Sequence, residues 1–252
     1  MSHSDHITAV DTTLRIISAL QELDGARVTQ LSDHLGVGKS TVYRHLVTLK
    51  EHGYVTKEGD VYVLGLKFLK RGQYVQHRKQ VYRVARPIVA ELASETGERC
   101  QFVVAENGRG VYVHVASGER AVETDSDVGQ RFDLHATACG KAILAHIPDT
   151  ERDAIIERRG LPAITDSTVT DEATLRDELA DVRARGYAYN REGRVSGLCS
   201  VGVPVLGAAG QVLGALSVSG PAGRMQGEWY TETLPNTLLG AADEITLKLQ
   251  YP

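Results

Sequence analysis

The sequence predicts an α+β protein in which an amino-terminal winged helix-turn-helix is followed by a domain built on an antiparallel sheet. Three observations predict this fold class. Residues 28–63 have the apolar spacing of two short helices and a hairpin, residues 64–78 form a basic segment typical of a connecting helix, and the remaining residues alternate between helical and β-rich patterns. We therefore expect a first domain at 1–63, a linker helix at 64–78 and a second domain at 79–252.

The apolar spacing within the first domain predicts a three-helix core. Leu31 and Leu35 lie four residues apart on a short helix that Thr29 is placed to cap, and Gly36 allows the tight turn after it. A second helix buries apolar residues at i, i+4 and i+7, which are Val42, Leu46 and Leu49. A further helix over about 9–23 carries one apolar stripe, formed by Val10, Leu14, Ile17 and Leu20.

The polar face of the second of these short helices contains no acidic residue and suits the major groove of DNA. Its expected DNA contacts are Lys39, Ser40, Thr41, Tyr43, Arg44 and Thr48. Arg44 can form two hydrogen bonds with guanine, and Lys39 can pair with a phosphate. The runs 54–57 and 61–63 around Gly59 predict a wing, which adds Lys57 to the set. A helical hairpin used only for packing would not explain the acid-free face and the wing together.

The charge and the cysteines limit the function further. The chain has 252 residues with 28 Lys and Arg against 32 Asp and Glu, a net charge of -4, which argues against indiscriminate coating of nucleic acid and favours a specific, dimeric binder of a double-stranded DNA operator. The three cysteines, at 100, 139 and 199, indicate no disulfide framework. The first ten residues, MSHSDHITAV, contain no signal peptide pattern, so we expect a cytoplasmic protein.

Residues 195–223 contain no charged residue and are long enough to be weighed as a membrane helix. Their many glycines and two prolines disfavour a helix. Alternation of Val201, Val203 and Val205, and of Leu216 with Val218, instead predicts two buried antiparallel strands, with a hairpin tip at 207–210. We therefore expect no membrane partner.

The other elements follow from spacing and from helix-ending residues. Helices are predicted near 80–96, 137–146, 149–158, 171–185 and 228–249, and strands near 101–105, 111–115, 187–190, 199–205 and 211–219. Gly97 and Gly186 are expected to end helices, and Thr170 to cap the helix at 171. In the linker helix, we expect Leu66 and Leu69 to be buried and Gly72 to mark a break.

The chain resembles the IclR family of transcriptional regulators over nearly its whole length. Three stretches carry the resemblance, namely GVGKSTVYRHLVTLKEHGYV at 36–55, LHATACGKAILA at 134–145 and GYAYNREGRVSGLCSVGVPVLGAAGQVLGALSVSGP at 186–221. The resemblance implies an amino-terminal winged helix-turn-helix and a carboxy-terminal effector-binding domain of GAF-like fold. It also implies homodimers formed through the DNA-binding domain and the linker, which often pair into tetramers on DNA. Control by a small metabolite is a further implication.

The resemblance also places an effector pocket on six residues, which are Ala138, Cys139, Asn190, Ser200, Ser217 and Ser219. The chain departs from the family at two of them. Asn190 stands where the family has an acidic residue, and Ser200 stands where it has a cysteine, with Cys199 one place earlier. Ser217 and Ser219 share one face of a strand, for which a solvated sheet face is the plainer explanation.

Asn and Ser side chains both donate and accept hydrogen bonds, which favours a hydroxyl-rich effector such as a sugar or a sugar acid. The expected function is therefore regulation of a catabolic operon for such compounds, as activator, repressor or both, including of the regulator's own gene. The alternative within the same class is regulation of aromatic or carboxylic-acid catabolism.

The sequence lacks the patterns typical of a metal site, of a cofactor site and of the common enzyme classes. His135 and Cys139 lie four apart, with His114 and His146 elsewhere in the domain, but no HExxH or paired CxxC accompanies them, so we expect no metal and no cofactor. Neither GxSxG, a dinucleotide-binding glycine pattern nor a Walker loop occurs, so we expect no enzyme. A purely structural DNA-binding protein would not need the large second domain.

Overall fold

The computed structural model describes residues 7–251, and these form two compact units that divide between Gln76 and His77. Most of the stretch examined for a signal peptide, residues 1–6, lies outside the described residues. We describe each unit by itself.

The first unit contains three helices, a two-stranded wing and a fourth helix. Its elements are α1 (Thr8–Glu22), α2 (Val28–Leu35), α3 (Lys39–Glu51), β1 (Val55–Glu58), β2 (Val61–Leu64) and α4 (Lys67–His77). The two strands are antiparallel, and Gly59 between them has a φ of 59°, a conformation that glycine adopts without steric cost. Leu31, Val42, Leu46 and Leu49 are buried in one core, as their spacing predicts.

The buried stripe of α1 differs from the prediction. Thr12, Ile16, Ala19 and Leu20 are buried in this helix. Val10 and Leu14 are instead 53% and 59% exposed, because the side of α1 that packs on the core is rotated relative to the predicted stripe. The helix therefore has a second apolar side that is exposed to solvent in the part of the first unit that the structure describes.

The linker helix also differs from expectation. Leu66 and Leu69 are 80% and 64% exposed rather than buried, and α4 runs through Gly72 without a break. The start of α4 is fixed instead by Lys67, whose ammonium group donates to the carbonyl of His52 at 2.7 Å, and by edge-on packing of Phe68 on Tyr54.

The glycines predicted to end helices were confirmed, whereas the threonines predicted to cap helix starts were wrong. Gly36, Gly97 and Gly186 each follow a helix with positive φ. Thr29 lies inside α2 and does not cap it; the side chain of Gln30 accepts from the backbone N–H of Arg27 at 2.9 Å.

The second unit is a six-stranded antiparallel sheet with helices on both faces. Its strands are β3 (Arg99–Glu106), β4 (Arg109–Ser117), β5 (Arg131–Phe132), β6 (Ala188–Arg191), β7 (Leu198–Leu206) and β8 (Val212–Pro221), in the spatial order β5-β4-β3-β8-β7-β6. Its helices are α5 (Gln80–Thr96), α6 (Ala138–His146), α7 (Asp149–Arg159), α8 (Glu172–Arg185) and α9 (Leu234–Gln250). This is the α+β arrangement predicted from the sequence.

Of two predicted helix starts in this unit, one needs correction. The helix predicted from 171 begins at Glu172, and Asp171 caps it by accepting from the backbone N–H of Thr174 at 2.8 Å, so Thr170 is not the cap. The last helix begins close to 228, as predicted, and passes through a π-helical turn at Trp229–Thr233 before α9 proper starts at Leu234.

Side-chain alternation divides the sheet into two different faces. Val201, Val203 and Val205 of β7, with Leu216 and Val218 of β8, pack in the core formed with α5 and α9. The intervening residues point to the opposite face, where α6 packs against β7. Residues 195–223 therefore include two buried strands, and no described helix is long and apolar enough to cross a membrane.

The close approach of α6 to the sheet depends on a glycine. A Cβ placed on Gly202 of β7 would lie 2.5 Å from the backbone nitrogen of Cys139 and 2.6 Å from the carbonyl carbon of Ala138. Because both are backbone atoms at the start of α6, they cannot move aside without displacing the helix.

We predict that Gly202→Ala lowers the free energy of unfolding by about 1–3 kcal/mol, the usual cost of overpacking. The matched control is Gly240→Ala in α9, where a Cβ would meet nothing within 4 Å. There we expect a gain of about 0.5–1 kcal/mol from helix propensity. Urea denaturation followed by circular dichroism measures both. Equal stability of the two variants would contradict the packing argument.

Candidate DNA-binding face and effector pocket

The structure exposes every residue predicted to contact DNA. Lys39, Ser40, Thr41, Tyr43, Arg44, Thr48 and Lys57 are all exposed to solvent. The first six lie on α3 and Lys57 lies on β1, where its ammonium group is 5.6 Å from the centre of the Tyr62 ring. The helix and the wing thus present polar and basic groups to solvent within one compact unit.

Side-chain contacts from α1 hold both α2 and α3 in this unit. The Thr13 hydroxyl of α1 hydrogen-bonds Nδ1 of His45 at 2.8 Å, and Arg15 donates to the carbonyl of Leu35 at 3.0 Å. Thr41, Arg44 and Thr48 line a groove between α3 and α1. Lys39, Ser40 and Tyr43 are not among the residues of that groove, so the predicted set covers two adjacent sides of the helix.

The candidate effector pocket is built on a row of residues across the second unit's sheet. Strand pairing places Asn190 opposite Ser200, Ser200 opposite Ser219, and Ser219 opposite Arg99. In the next row, Gly202 lies opposite Ser217, which itself lies opposite Gln101. Residues that are far apart in sequence therefore meet on one face of the sheet.

A glutamine joins the two serines at the floor of the pocket. Ser217 donates to Oε1 of Gln101 at 2.8 Å, and Nε2 of Gln101 donates to the Ser219 hydroxyl at 2.8 Å. Gln101 and Ser217 are almost fully buried. The serines are thus part of an enclosed hydrogen-bond network, which excludes the plainer reading of a solvated sheet face.

The start of α6 forms one wall of the pocket. The Thr137 hydroxyl caps the helix by accepting from the backbone N–H of Gly140 at 3.0 Å, and Cys139 lines the cavity. Burial raises the pKa of the Cys139 thiol above its ordinary value, so the sulfur stays neutral and is a poor nucleophile. Ala138 is fully buried against β7 and does not line the pocket.

Two of the predicted residues have unused hydrogen-bonding capacity. Asn190 and Ser200 are 7% and 9% exposed, and both line the pocket. Within residues 7–251, neither side chain forms a hydrogen bond with the protein. Their polar groups are therefore available to a ligand or to ordered water in the pocket.

An arginine that the sequence analysis did not select closes one side of the pocket. Arg194 donates to the Tyr112 hydroxyl and, at 2.7 Å, to a carboxylate oxygen of Asp125. Its guanidinium lies 5.6 Å from the centre of the Tyr112 ring and 5.3 Å from that of Phe132. Burial raises the pKa of Tyr112, so its hydroxyl remains protonated.

A second arginine holds the segment that carries Asp125. Arg99 donates from Nε to the Ser126 hydroxyl at 2.9 Å and from a terminal nitrogen to the Ser126 carbonyl at 3.0 Å. The cavity between these groups has a volume of about 50 Å³. Since one water needs about 10–15 Å³ on this scale, the pocket as it stands holds only a few waters or a very small molecule.

Part of the pocket lining is therefore predictable from the sequence. Cys139, Asn190, Ser200, Ser217 and Ser219 come together as placed, whereas the remaining polar lining residues were missed, which are Gln101, Tyr112, Thr124, Asp125, Ser126, Thr137 and Arg194. Several of these lie in segments without periodicity. Gln101 could have been noticed, because it is a polar residue in an otherwise apolar strand. Nothing in the sequence, however, indicates that it contacts the serines.

The histidines weighed as zinc ligands form hydrogen bonds with backbone carbonyls instead. Nε2 of His114 lies 2.6 Å from the carbonyl of Tyr82, Nε2 of His135 lies 3.1 Å from that of Pro162, and His146 bonds its own helix. Burial lowers the pKa of all three. No cluster of three or more metal-ligating side chains is present among residues 7–251.

Comparison with known proteins identifies both units. The family model described as "IclR helix-turn-helix domain" matches residues 9–59, and that described as "Bacterial transcriptional regulator IclR C-terminal" matches residues 73–247. The chain is 31% identical to the probable HTH-type transcriptional regulator ArcR of Halobacterium salinarum, over 97% of this chain and 94% of that protein.

Solved structures agree. The IclR structure from Thermotoga maritima has a TM-score of 0.85 and 29% identity, covering 98% of this chain and 100% of that one. An IclR homolog from Microbacterium hydrocarbonoxydans, solved with 4-hydroxybenzoate, has a TM-score of 0.78 at 22% identity, covering 95% and 100%. The matched proteins are regulators and not enzymes. The chain belongs to the IclR family of transcriptional regulators and is a DNA-binding protein.

Proposed function

We propose that this regulator binds an operator through the exposed face of α3 and the wing, and that a small metabolite in the pocket changes that binding. Residues 1–63 would read DNA, residues 64–78 would connect, and residues 79–252 would bind the effector. The observation that carries the proposal is the polar pocket whose lining includes Asn190 and Ser200, two largely buried residues whose side chains form no hydrogen bond with another described residue. A structural DNA-binding protein would have no use for such a cavity.

We propose that the protein regulates a catabolic operon as activator, repressor or both, and that it also regulates its own gene. Hydroxyl and amide groups dominate the lining, and Asn190 replaces the acidic residue expected from the family pattern. These groups support a sugar or sugar acid as effector. The second candidate is an aromatic acid, supported by the homolog solved with 4-hydroxybenzoate.

A homodimer is the proposed binding species. Val10 and Leu14 of α1, with Leu66 and Leu69 at the start of α4, leave apolar surface exposed in the first unit. A second copy of the chain would cover such surface and present two α3 helices to a two-fold operator, with half-sites one helical turn or a multiple apart. Pairing of dimers into tetramers is the further expectation.

The proposal as a whole is tested with the full-length protein and its own promoter region. Candidate acids, sugars and sugar acids are screened by isothermal titration calorimetry, and each compound that binds is added to an operator-binding assay. We expect at least one to change operator affinity. Binding accompanied by chemical turnover would favour an enzyme, and a screen in which no compound changes operator affinity would count against the effector function.

We predict that Arg44→Ala weakens binding to the cognate operator by about 1–3 kcal/mol and relaxes the sequence preference at one base pair, because a bidentate pair of hydrogen bonds to guanine is lost. Fluorescence anisotropy on operator variants measures both. Arg83→Ala, the same change at an exposed position of α5, is the control. An equal loss on all sequences would assign Arg44 to a phosphate contact.

We predict that Ser217→Ala combined with Ser219→Ala abolishes the effector response and leaves operator binding without effector intact. Both hydroxyls are lost at the pocket floor, and the Gln101 amide loses both partners. The control is Ser196→Ala, an exposed serine outside the lining. Operator binding is measured with and without the effector, and an unchanged response in the double variant would refute the pocket assignment.

We predict that Leu14→Glu combined with Leu69→Glu shifts the protein from dimer to monomer, because charge is introduced into the surface that a second copy would bury. Light scattering after size-exclusion chromatography measures the mass. The control is Ile164→Glu, an exposed apolar residue of the second unit, which should leave the mass unchanged. A stable dimer in the double variant would place the interface elsewhere.

A further inference from the structure

We propose that the ion pair between Arg194 and Asp125 is a latch on the effector pocket, and that the effector is an anion whose carboxylate replaces Asp125 on Arg194. The inference rests on the proposed function and narrows it. Among the hydroxyl-rich compounds considered above, it selects acids over neutral sugars, and it names the residue that makes this choice.

Arg194 is the fixed member of the pair. Its side chain is 13% exposed, it lies over the rings of Tyr112 and Phe132, and it donates to the Tyr112 hydroxyl. Contacts of a guanidinium with aromatic rings and with a buried hydroxyl remain when its carboxylate partner leaves. The positive charge therefore stays at the pocket.

Asp125 is the exchangeable member. Its side chain is 60% exposed, and it lies in residues 118–130, which contain no helix or strand. The neighbouring residue, Ser126, is held at its hydroxyl and its carbonyl by Arg99. The Asp125 carboxylate can therefore rotate into solvent while the backbone beside it stays in place, and a pair this exposed costs little to break.

The rest of the lining favours an incoming anion. Arg194 and Asp125 are the only charged side chains among the described residues that line this pocket. When Asp125 turns outward, the pocket carries an uncompensated positive charge, and the first turn of α6 adds a partial positive charge beside it. The unpaired side chains of Asn190 and Ser200 remain free to bind hydroxyl groups of the same ligand.

The volume of the cavity supports the same exchange. About 50 Å³ is too small for a sugar acid, so a ligand of that size must displace part of the lining. Rotation of Asp125 removes a side chain that lines the cavity and frees the guanidinium in one movement. An anionic ligand thus gains both space and a charge partner from the same step.

The test uses acetate as the probe and acetamide as its neutral counterpart, added to the full-length protein in low-chloride buffer. Saturation-transfer NMR gives the affinity of each probe, and the Nε–Hε signal of Arg194 in [15N]arginine-labelled protein reports contact with the guanidinium. We expect acetate to bind and to shift that signal, and acetamide to do neither. Equal binding of both probes, or no binding of acetate, would overturn the proposal.

Three variants make the test specific to the latch. Asp125→Asn should tighten acetate binding about two- to five-fold, because the competing carboxylate is removed. Arg194→Gln should weaken it at least about ten-fold, since a charge-assisted bond is lost. Glu123→Gln removes an exposed carboxylate from the same segment and should change nothing. If Asp125→Asn and Glu123→Gln change the affinity for acetate equally, there is no latch. This comparison does not depend on whether the Arg194 variant folds.

The outcome can be separated from that of the proposed function. If a metabolite controls operator binding but binds Arg194→Gln as tightly as the unaltered protein, regulation stands and the latch fails. If acetate behaves as expected but no acid changes operator affinity, the anion site stands and the regulatory role fails.

Discussion

The antiparallel register of β3, β8 and β7 is the constraint on which the second unit depends. Each strand sends alternate residues to opposite faces, so one register both buries Val201, Val203 and Val218 against α5 and α9 and gathers Ser200, Ser217 and Ser219 on the other face. A slip by one residue would exchange these sets. Core stability and pocket chemistry are therefore specified together.

Helix α6 turns that polar row into an enclosed site. Gly202 has no side chain, so the first turn of α6 can pack directly on β7 and bring Cys139 to the cavity. The other walls come from two segments without regular structure, held by Arg99 and Arg194. A rigid floor and wall thus combine with sides that depend on individual ion pairs and hydrogen bonds.

Periodicity and helix-ending glycines were sufficient to predict the element types and the fold class. Periodicity failed in α1 because this helix has two apolar sides. The sequence alone does not say which side packs on the core: Ile16 is buried, whereas Leu14 on the other side is exposed. The sequence also did not identify the cap of α8. Asp171 and Thr170 are both good capping residues, and only the path of the backbone decides between them.

The pocket shows the same limit more clearly. Ser217 and Ser219 are predictable as a pair because their separation of two residues is local. Gln101 and Arg194 are not, because their partners lie far away in sequence: Gln101 meets the serines through strand pairing, and Arg194 meets Tyr112 through a loop. Strand pairing and loop paths carry no periodic signal that a single sequence can reveal.

The Gln101 amide has a consequence for the hydrogen-bonding groups that a ligand can present to the pocket floor. Rotating it by half a turn exchanges its oxygen and its NH2 group, and the hydroxyls of Ser217 and Ser219 can reverse their roles in response, because each can donate or accept. The pocket floor can therefore offer either hydrogen-bond polarity without moving a backbone atom. A ligand group that only accepts hydrogen bonds, such as a carbonyl, and one that can also donate, such as a hydroxyl, can therefore both find a partner at this floor.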